Sequence, residues 1–178
     1  MSKRLFIALE LPDVCLEEMA ALDPHIKGLR WLPAAQMHLT MSFLGDVDET
    51  REERVRAELA AVRVPPFILP IRGLGAFGGA WPTVVWAGVG KGHPHLFALH
   101  HHLQDAVLRA GLEADLRPFH PHITLGRAKA VRRETLKPFL RRHAATEFDV
   151  WQVAGFVLCS SVLAPEGAVH SVEMRVQW

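Results

Sequence analysis

Short apolar stretches and amphipathic ones alternate along the whole chain. Residues 4–11, "RLFIALEL", are rich in aromatic and branched side chains and stop at Pro12, which predicts a strand. Behind Asp13 as N-cap, Leu16, Met19, Ala20 and Ile26 form an inward stripe, a helix interrupted at Pro24. "RWLP" and "MHLTMSFLG" (Met37–Gly45) return the chain to extended structure. Val55, Leu59 and Val62 then recur at helical spacing behind Thr50 and Glu53, a capping-box pair. "FILPIRG", "LGAFG" and "TVVWAGV" read as three short strands divided by Pro and Gly. A third helix is predicted from His95 to Ala110, with Leu96, Leu99, Leu103, Ala106 and Ala110 on one face and Gly111 as its stop. "HPHITLGR" is a strand, "RRETLKPFLRRH" a short basic helix, and "FDVWQVAGFVLCSSVL" and "VHSVEMRVQW" closing strands. With no polar linker between two runs of comparable length, the pattern predicts an α+β chain whose residues 1–178 form one domain of two closely packed lobes.

The polar positions inside two of these strands carry the chemistry. In an extended chain successive side chains face opposite ways, so His38, Thr40 and Ser42 share one face and Leu39, Met41 and Phe43 the other. A strand that only fills a core has no need of an imidazole beside a hydroxyl. The pattern returns in "FHPHITLGR", where His122 and Thr124 share a face opposite Ile123 and Leu125. Two His-x-Thr pairs on strands from two halves are what a site of approximate two-fold symmetry presents. Near neutral pH one imidazole of ordinary pKa can be neutral and a second protonated, giving a general base and a general acid. The hydroxyls can donate hydrogen bonds to anionic oxygens held between them. That is phosphodiester chemistry, and it requires no metal. Arg127 ends the second segment with a guanidinium suited to bidentate contact with phosphate. Strict alternation puts it opposite His122, so it reaches the same site only past a strand irregularity, which Gly126 favours.

Composition narrows the setting. The chain has 178 residues, 49% hydrophobic and 22% charged, as expected of a globular protein. A net charge of +1 makes any contact with nucleic acid depend on a local patch, and residues 127–142, with a single acid at Glu134, are the basic candidate. Cys15 and Cys159 lie in unrelated segments without metal-binding spacing, which predicts a reduced, cytoplasmic protein. No apolar stretch reaches the length of a membrane span. His100, His101 and His102 diverge around an ideal helix, and with His93 and His95 they offer no recognisable metal set, so no metal or cofactor is expected. Phe6 and Trp31 are aromatic faces that can either stack a base or fill the core.

"HLTM" and "HITL" resemble the paired HxTx motifs of the 2H phosphoesterase superfamily, and within it the RNA 2′,3′-cyclic phosphodiesterases historically called 2′-5′ RNA ligases. "RLFIAL", "RWLPAAQMHLTMSFLG", "GLGAFGG" before "PTVVWAGV", and "RPFHPHITLGR" fall in that family's order and spacing, so the resemblance covers essentially the whole chain. His120 is a departure, standing where an Arg is more readily expected; on the same extended face as His122 it would perturb that residue or touch substrate. The resemblance implies a bilobal fold, a pseudo-two-fold arrangement of two antiparallel-rich sheets with flanking helices around a central cleft. It implies hydrolysis of 2′,3′-cyclic phosphates of RNA or nucleotides to 2′-phosphates, with 2′-5′ ligation as the reverse reaction, by a monomer that uses no cofactor. By the same resemblance His38 is the proton donor to the departing ribose 3′-oxygen and His122 the base that activates water. Thr40 and Thr124 hold the non-bridging oxygens, and Arg127 binds the phosphate. The competing readings are a nucleotide- or RNA-binding module with weak turnover in the same cleft, and a metal-dependent hydrolase built on the extra histidines.

Overall fold

The computed structural model describes residues 2–89, 93–165 and 167–178. The N-terminal part comprises β1 (Ser2–Leu9), α1 (Asp13–Ala20), β2 (Leu29–Trp31), β3 (Leu39–Asp48) and α2 (Glu49–Ala60). The middle comprises β4 (Phe67–Ile68), β5 (Ile71–Phe77), β6 (Val84–Val89), α3 (Pro94–Arg109), β7 (His122–Ala128) and α4 (Arg133–Arg142). β8 (Gln152–Val153), β9 (Gly155–Ala164) and β10 (Gly167–Gln177) close the chain. Helix α1 ends before Pro24, and Asp13 is its first residue rather than its cap, because the cap position falls on Pro12. Helix α2 begins earlier than the Thr50–Glu53 pair suggests: Asp48 is the N-cap, its carboxylate accepting from the Arg51 backbone N–H at 2.9 Å.

The two expected antiparallel sheets are halves of one eight-stranded sheet. One half runs β10-β9-β1-β3; the other runs β7-β6-β5, with β2 also along β7. They join at one registered pair, Leu39 with Ile123. Strands β2 and β3 thus occupy successive stretches of the same edge of β7, β2 against Gly126–Ala128 and β3 against Ile123. The first half draws on both ends of the chain, and the second on its middle plus β2 from between β1 and β3, so the halves are interleaved rather than consecutive.

Alternation in the central strands assigns the faces. Leu5, Ile7 and Leu9 of β1, Leu39 and Met41 of β3, and Ile123 of β7 are buried in one cluster with Val55 and Leu59 of α2 and Leu96, Leu99 and Leu103 of α3. Burying each such side chain is worth about 1.5–3 kcal/mol, and the cluster spans both half-sheets. A separate cluster forms where Leu136 of α4 meets Leu29, Val85 and Val131. The polar residues that alternate with the main core positions are left on the other face, where the cleft opens.

Candidate active site

Leu39 and Ile123 pair inside the core, and that pairing decides what faces the cleft. Their flanking residues point the opposite way, and an antiparallel register centred there sets His38 opposite Thr124 and Thr40 opposite His122. The histidines therefore lie on a diagonal, which in a regular ladder separates backbone positions by about 7–8 Å, leaving room for a phosphate between two imidazoles. His38, Thr40, His122, Thr124 and Arg127 all line one cleft of ≈ 510 Å³. All five residues expected from the sequence are brought together.

Strand bulges explain both a success and a failure of simple alternation. On β3, Thr40 pairs with Ala8 and Ser42 with Ile7, so Met41 is an extra residue in the ladder. On β7, Thr124 pairs with Trp86 and Gly126 with Val85, so Leu125 is extra there. Each bulge follows the threonine of its motif and shifts the side-chain alternation by one position. Arg127 is thereby turned into the cleft with His122. The same shift removes Ser42, which is buried and accepts a hydrogen bond from Gln104 Nε2 at 3.1 Å, and puts Phe43 in the cleft instead. The expectation that Ser42 shares the His38 face and Phe43 the core face is thus corrected. Gly126 suits its bulge for a second reason: a Cβ there would lie 2.9 Å from Trp31 Cε3 and 3.1 Å from Leu29 Cδ1. Phe43 is 54% exposed, with the Arg117 guanidinium 5.9 Å from its ring centroid.

The two histidines are held alike. His122 Nδ1 lies 2.6 Å from the His120 carbonyl oxygen. A carbonyl only accepts, so Nδ1 carries a proton and is the donor, and Nε2 is the nitrogen left for other partners. The His38 ring is hydrogen-bonded to the Gln36 carbonyl, again two residues back. Burial, the neighbouring His170 and Arg127 outweigh that bond and push His38 down to about 4, so its imidazole is neutral in the empty cleft at neutral pH. Arg4, Arg30 and Arg117 join Arg127 on the cleft wall, and no carboxylate lines it among the described residues. Such a surface attracts a polyanion.

His170 of β10 also lines the cleft, a role for which its sequence gives no signal. It sits in an alternating closing strand that pairs with β9, and its ring lies 5.1 Å from that of His38 although β9 and β1 stand between the two strands. Other expectations resolve by position. Trp31 donates from Nε1 to the Met19 carbonyl at 3.0 Å and packs against Phe139, so it serves the core. Phe6 is buried but forms part of the cleft wall. His120 precedes β7, so the shared strand face does not exist, and it acts on His122 through its main chain. Of the basic stretch 127–142 only Arg127 lines the cleft; Arg133 is bound to the carbonyls of Ala76, Gly78 and Gly79. His100 stacks on Phe119 at 4.0 Å, and no group of three potential metal ligands converges among the described residues.

Comparison with known proteins identifies the family. A family model described as the 2′-5′ RNA ligase superfamily matches residues 12–160. The RNA 2′,3′-cyclic phosphodiesterase of Archaeoglobus fulgidus is 30% identical over 177 residues, 97% of this chain and 98% of that one. The Escherichia coli enzyme of the same name is 34% identical over 157 residues, covering 84% and 86%. Among solved structures, E. coli LigT without ligand superposes with a TM-score of 0.81 at 26% identity, covering 99% of this chain and 97% of that chain. LigT complexed with 3′-AMP gives 0.81 at 27% identity, with 99% and 98% covered. TT0787 of Thermus thermophilus gives 0.77 at 29%, with 98% and 97% covered. A match over most of the chain, to the family model and to curated relatives alike, makes this chain a member of the 2′-5′ RNA ligase superfamily.

Proposed function

We propose that the protein hydrolyses 2′,3′-cyclic phosphates of RNA or nucleotides to 2′-phosphates by acid-base catalysis between His38 and His122, and that it catalyses the reverse 2′-5′ joining. The observation that carries this is the two His-x-Thr pairs facing one arginine-lined cleft across the Leu39–Ile123 pair. The names of the relatives and the 3′-AMP bound in a solved one support the substrate class.

His122 suits the base. Its Nδ1–H is committed to the His120 carbonyl, so the Nε2 lone pair is the one left to take a proton from water. The water oxygen bonds to phosphorus, the P–O3′ bond breaks, and His38 delivers its proton to the departing 3′-oxygen. His38 is neutral in the empty cleft, so it acquires that proton when an anionic phosphate offsets the charge of Arg127. Thr40 and Thr124 hold the non-bridging oxygens, and Arg127 binds the phosphate through its fork of N–H donors. The exposed Phe43 ring, with Arg117 over it, offers a nucleobase a stacking face that tolerates any base. Both motifs come from one chain, so the site needs no second copy and the protein acts as a monomer. Two free, buried cysteines suit the reducing cytoplasm.

The test is incubation with a 2′,3′-cyclic nucleotide, with and without EDTA, and assignment of the phosphate position in the product. A 2′-phosphate formed equally in both is expected. A 3′-phosphate product would overturn the roles given to the histidines, activity lost to EDTA and restored by a divalent ion would make the site a metal's, and binding without turnover would leave a binding module.

A further inference from the structure

His170 is an imidazole at the site to which the two-histidine reaction gives no task. It stands opposite Ser161 in the β9–β10 ladder, and both side chains line the cleft. Its ring closes a triangle with Phe6 and His38. The centroids are 5.0 Å apart for Phe6 and His38, 4.9 Å for Phe6 and His170, and 5.1 Å for His38 and His170. His170 meets the other two nearly edge-on, at 67° and 74°. The same three residues also line a second cavity of ≈ 390 Å³, so His38 stands at the boundary of two spaces.

Among the described residues the charges around this triangle are one-sided. On the cleft side stand Arg4 of β1, Arg30 of β2, Arg117 ahead of β7, and His122 and Arg127 of β7. Ser161 of β9 is the neutral polar neighbour there. On the far side are Glu10 after β1, Asp13 of α1, Cys159 of β9 and Arg175 of β10, and Glu10 is already paired with Arg175. His170 Nδ1 is buried without a hydrogen-bond partner among the described residues. Two imidazoles in contact, with no carboxylate on their cleft side among the described residues, are costly to charge together until an anion arrives.

We propose that His170 is a positioning residue for His38: it fixes that ring against Phe6 and makes its protonation conditional on an anionic phosphate in the cleft. The proposal rests on the two-histidine mechanism. It means that the acid is armed by the substrate itself. Burial and the Arg127 charge push His170 down as well. It also means that phosphate binding takes up protons from solution.

The measurement is NMR titration of histidine-labelled full-length protein, with and without saturating inorganic phosphate. It is made in the wild type, in His170→Phe, which keeps a ring in the triangle, and in His170→Gln, which keeps a polar side chain. In the wild type, phosphate is expected to raise the His38 titration by at least about one pH unit. In both variants the phosphate-free titration is expected to move up by at least about half a unit, and the response to phosphate to shrink. The acid limb of kcat/KM should move in the same direction. His38 curves that superpose between wild type and both variants would overturn the proposal. Because the titration needs no turnover, absence of hydrolysis in the wild type would sink the proposed function and leave this coupling to be judged alone.

Discussion

At the scale of single residues the proposed chemistry turns on His38 and His122, whose rings are held by neighbours two residues back. Each is oriented by a backbone carbonyl, Gln36 for His38 and His120 for His122, an arrangement that fixes the ring without adding charge. Replacing either with Ala should lower kcat by at least about a hundredfold, since in the proposed reaction each is one proton-transfer partner. The double variant should lose little more than the worse single one, because the pair acts as a unit. Steady-state rates on a cyclic nucleotide decide this, and a single variant with near-normal kcat would refute it. His38 also makes stability depend on pH. Its folded value, about 4, lies below the ordinary 6.5, so between these the unfolded chain binds a proton that the native one refuses. Stability therefore falls as pH drops through that window and is unaffected by His38 above it. His38→Gln should remove on the order of 1–3 kcal/mol of that acid sensitivity, read as a smaller loss of urea-unfolding free energy between about pH 7 and pH 4.5. Parallel curves for the two proteins would show that His38 is not the buried neutral histidine described.

At the scale of elements, the bulges mark where sequence stops being legible. Apolar spacing located α3 almost to the residue, and alternation put His38 with Thr40 and His122 with Thr124, because period-two patterning is local. One extra residue in a ladder flips every side chain beyond it, and the need for one arises from the partner strand, which the segment itself does not encode. Hence Arg127 was legible only on the condition of an irregularity near Gly126, Ser42 and Phe43 were exchanged, and His170 carried no signal. Regrouping of "FILPIRG" and "LGAFG" into β4 and β5 is a similar matter of partners supplied from far away. Gly126 is where this geometry is most exposed to mutation. In Gly126→Ala the new methyl would meet Trp31 and Leu29, a clash worth about 1–3 kcal/mol. A drop in Tm of roughly 2–4 °C per kcal/mol is expected, with a fall in kcat/KM beyond it as Arg127 is re-aimed. Arg127→Lys, at an exposed position, should leave Tm within about 1 °C yet lower kcat/KM, since an ammonium cannot make the bidentate contact. If Arg127→Lys kept full activity, Arg127 would have no place on the phosphate.

At the scale of the molecule, the interleaving of the halves is what holds the two motifs at one distance. Strands β1 and β3 from the N-terminal part pair with each other, and β1 also pairs with β9 from the C-terminal part, while β5, β6 and β7 come from between them. The half-sheet β10-β9-β1-β3 cannot be completed by one continuous piece of chain. The main core runs through both halves, from Leu9 and Leu39 through α3 to Ile123 and Ile71, so opening either half exposes apolar surface belonging to the other. The Leu39–Ile123 pair would be a weak joint if it stood by itself, since one registered pair adds little; its strength comes from the helices packed beneath it. From this we propose that residues 1–178 unfold as a single cooperative unit rather than as two lobes. Trp86 on β6 and Trp178, packed 5.7 Å from Phe156 of β9, report the second and first halves separately when tryptophan is fluorine-labelled. Their urea midpoints should coincide, and calorimetric and van't Hoff enthalpies should agree. Leu136→Ala, in the cluster beneath α4, should lower both midpoints together through a loss of about 2–5 kcal/mol, although Trp178 lies in the other half. Separate midpoints, or a Leu136→Ala effect confined to Trp86, would mean that the lobes fold independently and that the distance between the motifs is set by a hinge.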